Sequence, residues 1–300
     1  MANREAGVAD CGAMTQKRAT PSIKRRRVGG QLRRWRESVE MPSGDVARAM
    51  GWSQARFSRI ERGYYRITRD EVHDICAKIG VDDPAGVEEV ARAAAEPTGT
   101  GWWASYSGSI GQNYLDFIEL ESQAETIRIH HPVVIPGPFQ SVGYAREILT
   151  RAAIRDPGKG EVLVSIRVAR QEILAREKPV QLHALVPELA LHASFAAGPG
   201  IMPDQLRKLI DVADMPNVRL QIVPLSAHPA YVSKGPMTLL TFRHPWSPVA
   251  SVDNPMGGSH TEDADKFQVL EAEFDAICSI ALPVDQSREL LAEYLEGRHK

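Results

Sequence analysis

The stretch SGDVARAMGWSQARFSRIERG, Ser43–Gly63, decides how the rest of the chain is read. It divides into a helix, a tight turn and a second helix. Pro42 and Ser43 start the first helix, with Ser43 expected at the N-cap, and Val46, Ala47 and Met50 fall on its inward face. Gly51 suits the turn, where a left-handed backbone would strain most other residues. Ser53 is expected to cap the second helix, Phe57 and Ile60 to enter the core, and Gly63 to end it. That arrangement leaves Gln54, Ala55, Arg56, Ser58 and Arg59 facing outward.

Working outward, the pattern predicts five short helices in the N-terminal part. The first covers about Val28–Val39, with Val28, Leu32, Trp35 and Val39 on one face and Arg33, Arg34 and Arg36 on the other. The basic run Lys24–Arg27 precedes it, and the sequence leaves open a phosphate or minor-groove contact and a solvated arm. A fourth helix is expected over Arg69–Ile79, burying Val72, Ile75, Cys76 and Ile79, and an alanine-rich fifth over Pro84–Ala95. Residues 1–22 read as a disordered leader in which Met14 is a candidate start, and 23–95 as a helix-turn-helix domain. The stretch EPTGTG, residues 96–101, reads as a linker.

Beyond residue 101 the periodicity changes. Short β-type runs appear at Thr126–His130, Val133–Ile135, Val180–Val186, Val218–Val223, Met237–Phe242 and Val249–Val252. Amphipathic helices lie among them, with apolar stripes Val162/Ile166/Ala169/Ile173, Leu206/Leu209/Ile210/Ala213 and Phe267/Leu270/Phe274/Ile277/Ala281, and Ser287–Glu296 closes the chain. The expected class is α+β overall: an all-α, five-helix domain followed by a mixed α/β domain over 102–300.

Whole-chain properties bound the function. The 300 residues suffice for two domains, and 43% hydrophobic with 25% charged residues is an ordinary globular balance. No apolar run approaches the roughly 20 residues that a membrane-spanning helix needs, and the N-terminus has no secretory apolar segment. Three dispersed cysteines (Cys11, Cys76 and Cys278) suit a reducing compartment and offer neither a disulfide framework nor a zinc site. The net charge of −2 is unevenly spread. Residues 1–80 hold 17 Lys/Arg and 9 Asp/Glu, leaving 19 and 29 in the remainder, so a basic part that suits a polyanion is joined to an acidic part that does not.

A helix-turn-helix needs small or apolar residues where its helices touch, a turn-former between them, and polar residues leading the second helix. Ser43–Gly63 supplies these in order, and it resembles the phage-repressor-like (XRE-type) helix-turn-helix family, which makes the expected five-helix domain lambda-repressor-like. The resemblance implies that Ser53, Gln54, Ala55, Ser58 and Arg59 face the major groove of DNA. Arg59 has the geometry to donate twice to guanine O6 and N7; Gln54 suits adenine N6 and N7 or a phosphate, and Ala55 a thymine methyl. Ser43, Arg56, Arg62, Arg66 and Arg69 are the expected phosphate contacts, whereas Glu61 is expected to pair with a neighbouring arginine.

Past residue 101 there is no G-x-S-x-G elbow, phosphate-binding G-x-x-x-x-G-K-[ST], H-E-x-x-H or paired C-x-x-C, and Pro203 spoils the dinucleotide fingerprint begun by Gly198-Pro199-Gly200. His130, His131, His228, His244 and His260 are scattered with Asp253 and Asp263 and read as ordinary surface histidines; Trp102-Trp103 reads as packing at the domain junction. Neither catalytic nor metal-binding residues nor a cofactor is expected. The pieces IHHPVVIPGPFQSVGYAREIL, VARQEIL, DQLRKLI and NVRLQIVP are similar to the C-terminal domain of a large actinobacterial, WhiJ-like, antitoxin-like regulator family. Two departures stand out: Pro136-Gly137-Pro138-Phe139-Gln140-Ser141 replaces the usual Pro-Gly-Leu-Leu-Gln-Thr, and Ser251-Val252-Asp253 replaces an aromatic–x–Glu strand ending. The resemblance implies a transcriptional regulator whose C-terminal domain binds a small protein from a neighbouring gene or a small-molecule effector. An alternative is an antitoxin that sequesters a toxic partner and autoregulates its operon. A homodimer on a palindromic operator is expected, since one reading helix covers few base pairs, with the protein in the cytoplasm on the nucleoid.

Overall fold

The computed structural model describes residues 21–97, 99–152, 157–227, 235–253 and 258–298. Nearly all of the expected leader, with Met14 and Cys11, lies outside the described residues, as does His228. Five helices open the chain: α1 (Ile23–Ser38), α2 (Ser43–Ala49), α3 (Gln54–Glu61), α4 (Arg69–Ile79) and α5 (Pro84–Ala95). Helix α1 begins more than a turn earlier than apolar spacing predicts, because the Ser22 hydroxyl accepts the Arg25 N–H and fixes the first turn ahead of the basic run. A full capping box, Thr68 with Glu71, starts α4, and Asp83 caps α5 with Pro84 at its first position. Val28, Leu32, Val46, Phe57, Ile60, Val72, Ile75 and Val90 form one core at the centre of the five.

The second part is built on a six-stranded sheet: β1 (Thr126–His130), β2 (Gln181–Pro187), β3 (Val218–Val223), β4 (Met237–Thr241), β5 (Val249–Val252) and β6 (Ser259–Thr261), in the order β3-β2-β1-β4-β5-β6. β1, β2 and β3 run parallel, in register Ile127↔Leu182 and Ala184↔Leu220, while β4, β5 and β6 continue antiparallel from the other edge of β1. Helices α6 (Gln112–Gln123), α7 (Val142–Ala152), α8 (Pro157–Arg170), α9 (Ile201–Ala213), α10 (Ala264–Ile280) and α11 (Val284–Leu295) flank it. Alternation along the strands feeds two cores. Ile127, Leu182, Leu220 and Leu240 meet Tyr144, Leu209 and Leu291 on one face, and Leu185, Leu239 and Ala250 meet Phe267, Phe274 and Ile277 on the other. The fold class is therefore α+β, a helical domain followed by a mixed α/β domain.

The expected strand at Val133–Ile135 is instead a series of bends. Its backbone donors are met by side chains: Val133 and Val134 N–H donate to His131 Nδ1 at 3.2 Å each, and Ile135 N–H to the Tyr144 hydroxyl at 3.2 Å. Trp102 and Trp103 sit in a short 3-10 turn, edge to face, packed with Ile110, Ile118 and Ile166. They complete the second domain rather than the junction. His130, expected at the surface, is instead buried, because β1 lies between β2 and β4 within the sheet.

The junction is made by α1 itself. Ile23 joins the core of the α/β domain, and Trp246 packs against the core of the helical one. Within the basic run, Lys24 pairs with Glu96, Arg26 with Asp116 of α6, and Arg27 with Glu262 just after β6. Arg26 and Arg27 thus clamp the two parts together, while Lys24 ties α1 to the end of α5, so the run is not a solvated arm.

Candidate nucleic-acid interface

Between α2 and α3 the chain turns at Gly51, whose φ of +69° is costly for any residue with a Cβ. The Trp52 N–H donates to the Ala47 carbonyl at 2.8 Å and closes the turn. The Ser53 hydroxyl accepts the Arg56 N–H at 3.2 Å and caps α3, as its place in the sequence predicts. Ser43 differs from expectation: Pro42 occupies the cap position, and Ser43 is the first helical residue. Its hydroxyl accepts from Gln54 Nε2 at 3.3 Å, which ties the beginnings of the two helices together.

Two glycines set how closely α1 lies against α3. A Cβ at Gly29 would stand 2.2 Å from the Ile60 carbonyl oxygen, and one at Gly63 would stand 2.7 Å from the Arg26 nitrogen. Gly63 also has φ +73°. Below them, Arg36 Nε donates to Glu61 Oε1 at 2.7 Å, with both side chains largely buried, and Arg36 Nη1 reaches the Met41 carbonyl at 2.8 Å. Glu61 thus pairs with an arginine of α1 and anchors the end of α3.

On the outer surface Ser53, Gln54, Ala55 and Arg59 are exposed and Arg56 and Ser58 half-buried. Gln54, Ala55, Ser58 and Arg59 follow helical spacing and share one face of α3. Arg59 Nη1 donates to the Tyr65 hydroxyl at 2.6 Å, which holds the guanidinium on the Tyr65 side. Arg62 is folded back onto Ser58, with Nη2 2.8 Å from Oγ and Nε 3.0 Å from the carbonyl. Arg56 lies over the Trp52 ring at 4.0 Å and donates to Glu71 at 2.8 Å, so it joins α3 to α4. Arg69 donates to Glu88 at 2.5 Å, and Arg66 is exposed in the connection before α4.

The geometry therefore gathers Ser43, Ser53, Gln54, Ala55, Ser58, Arg59 and Arg62 at the two helices, while Arg56 and Arg69 hold carboxylates. Exposed pairs of that kind are worth only about 0.2–1 kcal/mol, so exchanging a carboxylate for another anion costs little. Sequence reasoning overlooked Tyr65 as the partner of Arg59. The visible signal was the adjacent aromatic pair Tyr64-Tyr65, both exposed directly after the Gly63 turn.

The fold and this surface define the N-terminal part as a helix-turn-helix domain, and a family model described as a helix-turn-helix domain matches residues 27–94. A second, described as a domain of unknown function (DUF5753), matches residues 114–293, which is more than half of the chain. The chain belongs to that DUF5753 family. No curated protein matches, nor does any solved structure. Among the described residues no helix is long and apolar enough to cross a membrane.

Proposed function

We propose that this chain is a sequence-specific, DNA-binding transcriptional regulator that acts as a homodimer on a palindromic site. Supporting this most is the exposed face of α3, fixed at one end by the Ser53 cap and at the other by the buried Arg36–Glu61 pair. A reading helix must hold its base-contacting tips still, and this one is braced along its length. Arg59, Gln54, Ser53, Ser58 and Ala55 read base edges, with Arg59 the main discriminator on guanine. Ser43, Arg56, Arg62, Arg66 and Arg69 contact phosphates and set the register.

The α/β domain serves recognition of a partner rather than catalysis, taking a small protein or an effector, and the cytoplasmic nucleoid is where such a protein works. Resemblance to antitoxin-like regulators keeps sequestration of a neighbouring gene's product as a second role.

Selection of genomic fragments by the purified chain tests the central reading. It should recover one sequence with two-fold symmetry, and log affinity should fall linearly with log salt concentration. Recovery of fragments with no shared sequence would refute it. Co-purification with the product of an adjacent small reading frame tests the partner role.

A further inference from the structure

Arg167 and Arg170 lie one turn apart on α8, but only Arg170 has a counter-charge. Its guanidinium makes two 2.7 Å bonds to Glu121, donates to the Tyr114 hydroxyl oxygen at 2.9 Å and lies 4.9 Å from the Phe117 ring centre. Arg167 Nη1 reaches the amide oxygen of Gln140 at 3.4 Å, and its side chain also interacts with the Tyr114 hydroxyl. Its Nε is enclosed and has no partner, and no carboxylate pairs with it among the described residues. Burial pushes its pKa down from the usual arginine value; Tyr114 and Glu121 offset this in part and Arg170 deepens it. Leaving a buried guanidinium nitrogen without a partner costs free energy, and native structures seldom carry that cost without a use.

Arg167 lines a cavity of about 240 Å³ at the carboxyl end of β1, where β4 begins and β5 ends. Ligands of α/β folds commonly bind at such strand ends. Gly137 makes room for the guanidinium: a Cβ there would stand 2.3 Å from Arg167 Nη1. Phe117, Ile135 and Met237 supply an apolar wall. His260 closes another side, with Nδ1 3.0 Å from Ser251 Oγ, Nε2 2.8 Å from the Asn113 carbonyl, and its ring stacked 6.0 Å from Phe117.

We infer that this cavity binds a small, singly charged organic acid, its carboxylate on Arg167 and its apolar body against Phe117, Ile135 and Met237. A planar carboxylate matches the guanidinium fork. One positive charge without an ion-pair partner among the described residues, with the Asp253 carboxylate on the same wall, favours a monoanion over a phosphate dianion. The volume falls below the roughly 300–1,000 Å³ of drug-sized sites, which sets metabolite size. The inference names an effector class for the α/β domain and rests on the regulator reading only for its purpose. Helix α6 and strand β6 both line the cavity, and α6 and the residue just after β6, Glu262, make the ion pairs that grip α1.

Titration of the full chain without DNA tests this independently of any operator. Thermal-shift and calorimetric titrations would use benzoate and hexanoate, with benzamide, hexanamide and inorganic phosphate as comparators. At least one acid should raise the melting temperature saturably and bind at least tenfold tighter than its amide, and Arg167→Gln should remove that preference. Gly137→Ala, which displaces the guanidinium but keeps its charge, should weaken the same acid at least fivefold and serves if Arg167→Gln does not fold. Equal binding of acid and amide, binding unaffected by both substitutions, or a response to phosphate alone would overturn the inference.

Discussion

Arg27, on the first helix of the helix-turn-helix domain, donates to Glu262 beyond the last strand of the other domain, Nε to Oε1 at 3.2 Å. Arg27 is 3% exposed; its guanidinium lies 3.8 Å from the Phe242 ring centre and donates to the Ser247 carbonyl at 3.1 Å. Burial, opposed by Glu262, pushes its pKa down to about 10. Arg34 shares the same carboxylate at 2.8 Å. Glu262→Ala leaves Arg27 enclosed without an anion and should destabilise the chain by about 2 kcal/mol, less than a fully buried pair because Glu262 is partly exposed. Chemical denaturation should show the lower midpoint; an unchanged midpoint would mean that the clamp contributes nothing.

The Glu121–Arg170 pair is more deeply buried, with side chains 2% and 5% exposed. Glu121→Ala strands Arg170 next to the already unneutralised Arg167. The expected loss is about 3–5 kcal/mol, measured by urea unfolding. Glu121→Gln, which keeps hydrogen-bond acceptance, should lose less.

Acid should weaken the α/β domain through its histidines. Burial lowers the His130 pKa, although a contact from Nδ1 to the Leu185 carbonyl at 3.1 Å pulls the other way. The unfolded state, titrating near pH 6.5, then binds more protons than the folded one just below that pH. The stability tied to a neutral His130 is complete above about pH 6.5 and is lost as pH falls from there toward the folded pKa. His131 and His183, likewise lowered chiefly by burial, act in the same sense. Melting temperatures should hold above pH 7 and decline toward pH 5.5, and His130→Gln should flatten that decline.

Burial, with help from the Asp83 charge, pushes the Cys76 thiol up to about 12. Cys278 is half-exposed, its sulfur 3.4 Å from Gln221 Oε1. Since the thiolate is the reactive form, a thiol reagent at neutral pH should label Cys278 while sparing Cys76 until the chain unfolds. Peptide mapping of the labelled protein would decide it.

Much of the helical domain was legible because its signals are local. Gly51 permits a left-handed turn, Ser53 caps, and Phe57 and Ile60 recur at helical spacing. Other features depend on residues far apart in sequence. Gly29 offers no local reason to be glycine; its reason is the Ile60 carbonyl. Lys24–Arg27 looked like a free basic run because its partners Glu96, Asp116 and Glu262 are 72, 90 and 235 residues away from Lys24, Arg26 and Arg27 respectively. Helix α6 escaped notice because its buried positions include Asp116, Glu119 and Glu121, which break the apolar period, and Asp116 and Glu121 are buried against distant arginines. Arg167 is unremarkable in sequence, and only the missing counter-ion marks it.

DNA binding by Arg59→Ala, measured by fluorescence anisotropy on the selected site and on variants of each base pair, probes the reading helix most directly. The substitution should cost about 1–3 kcal/mol and relax preference at one base position, whereas Arg66→Ala should weaken all sequences alike. Full affinity and undiminished preference in Arg59→Ala would mean that α3 does not read DNA in this register.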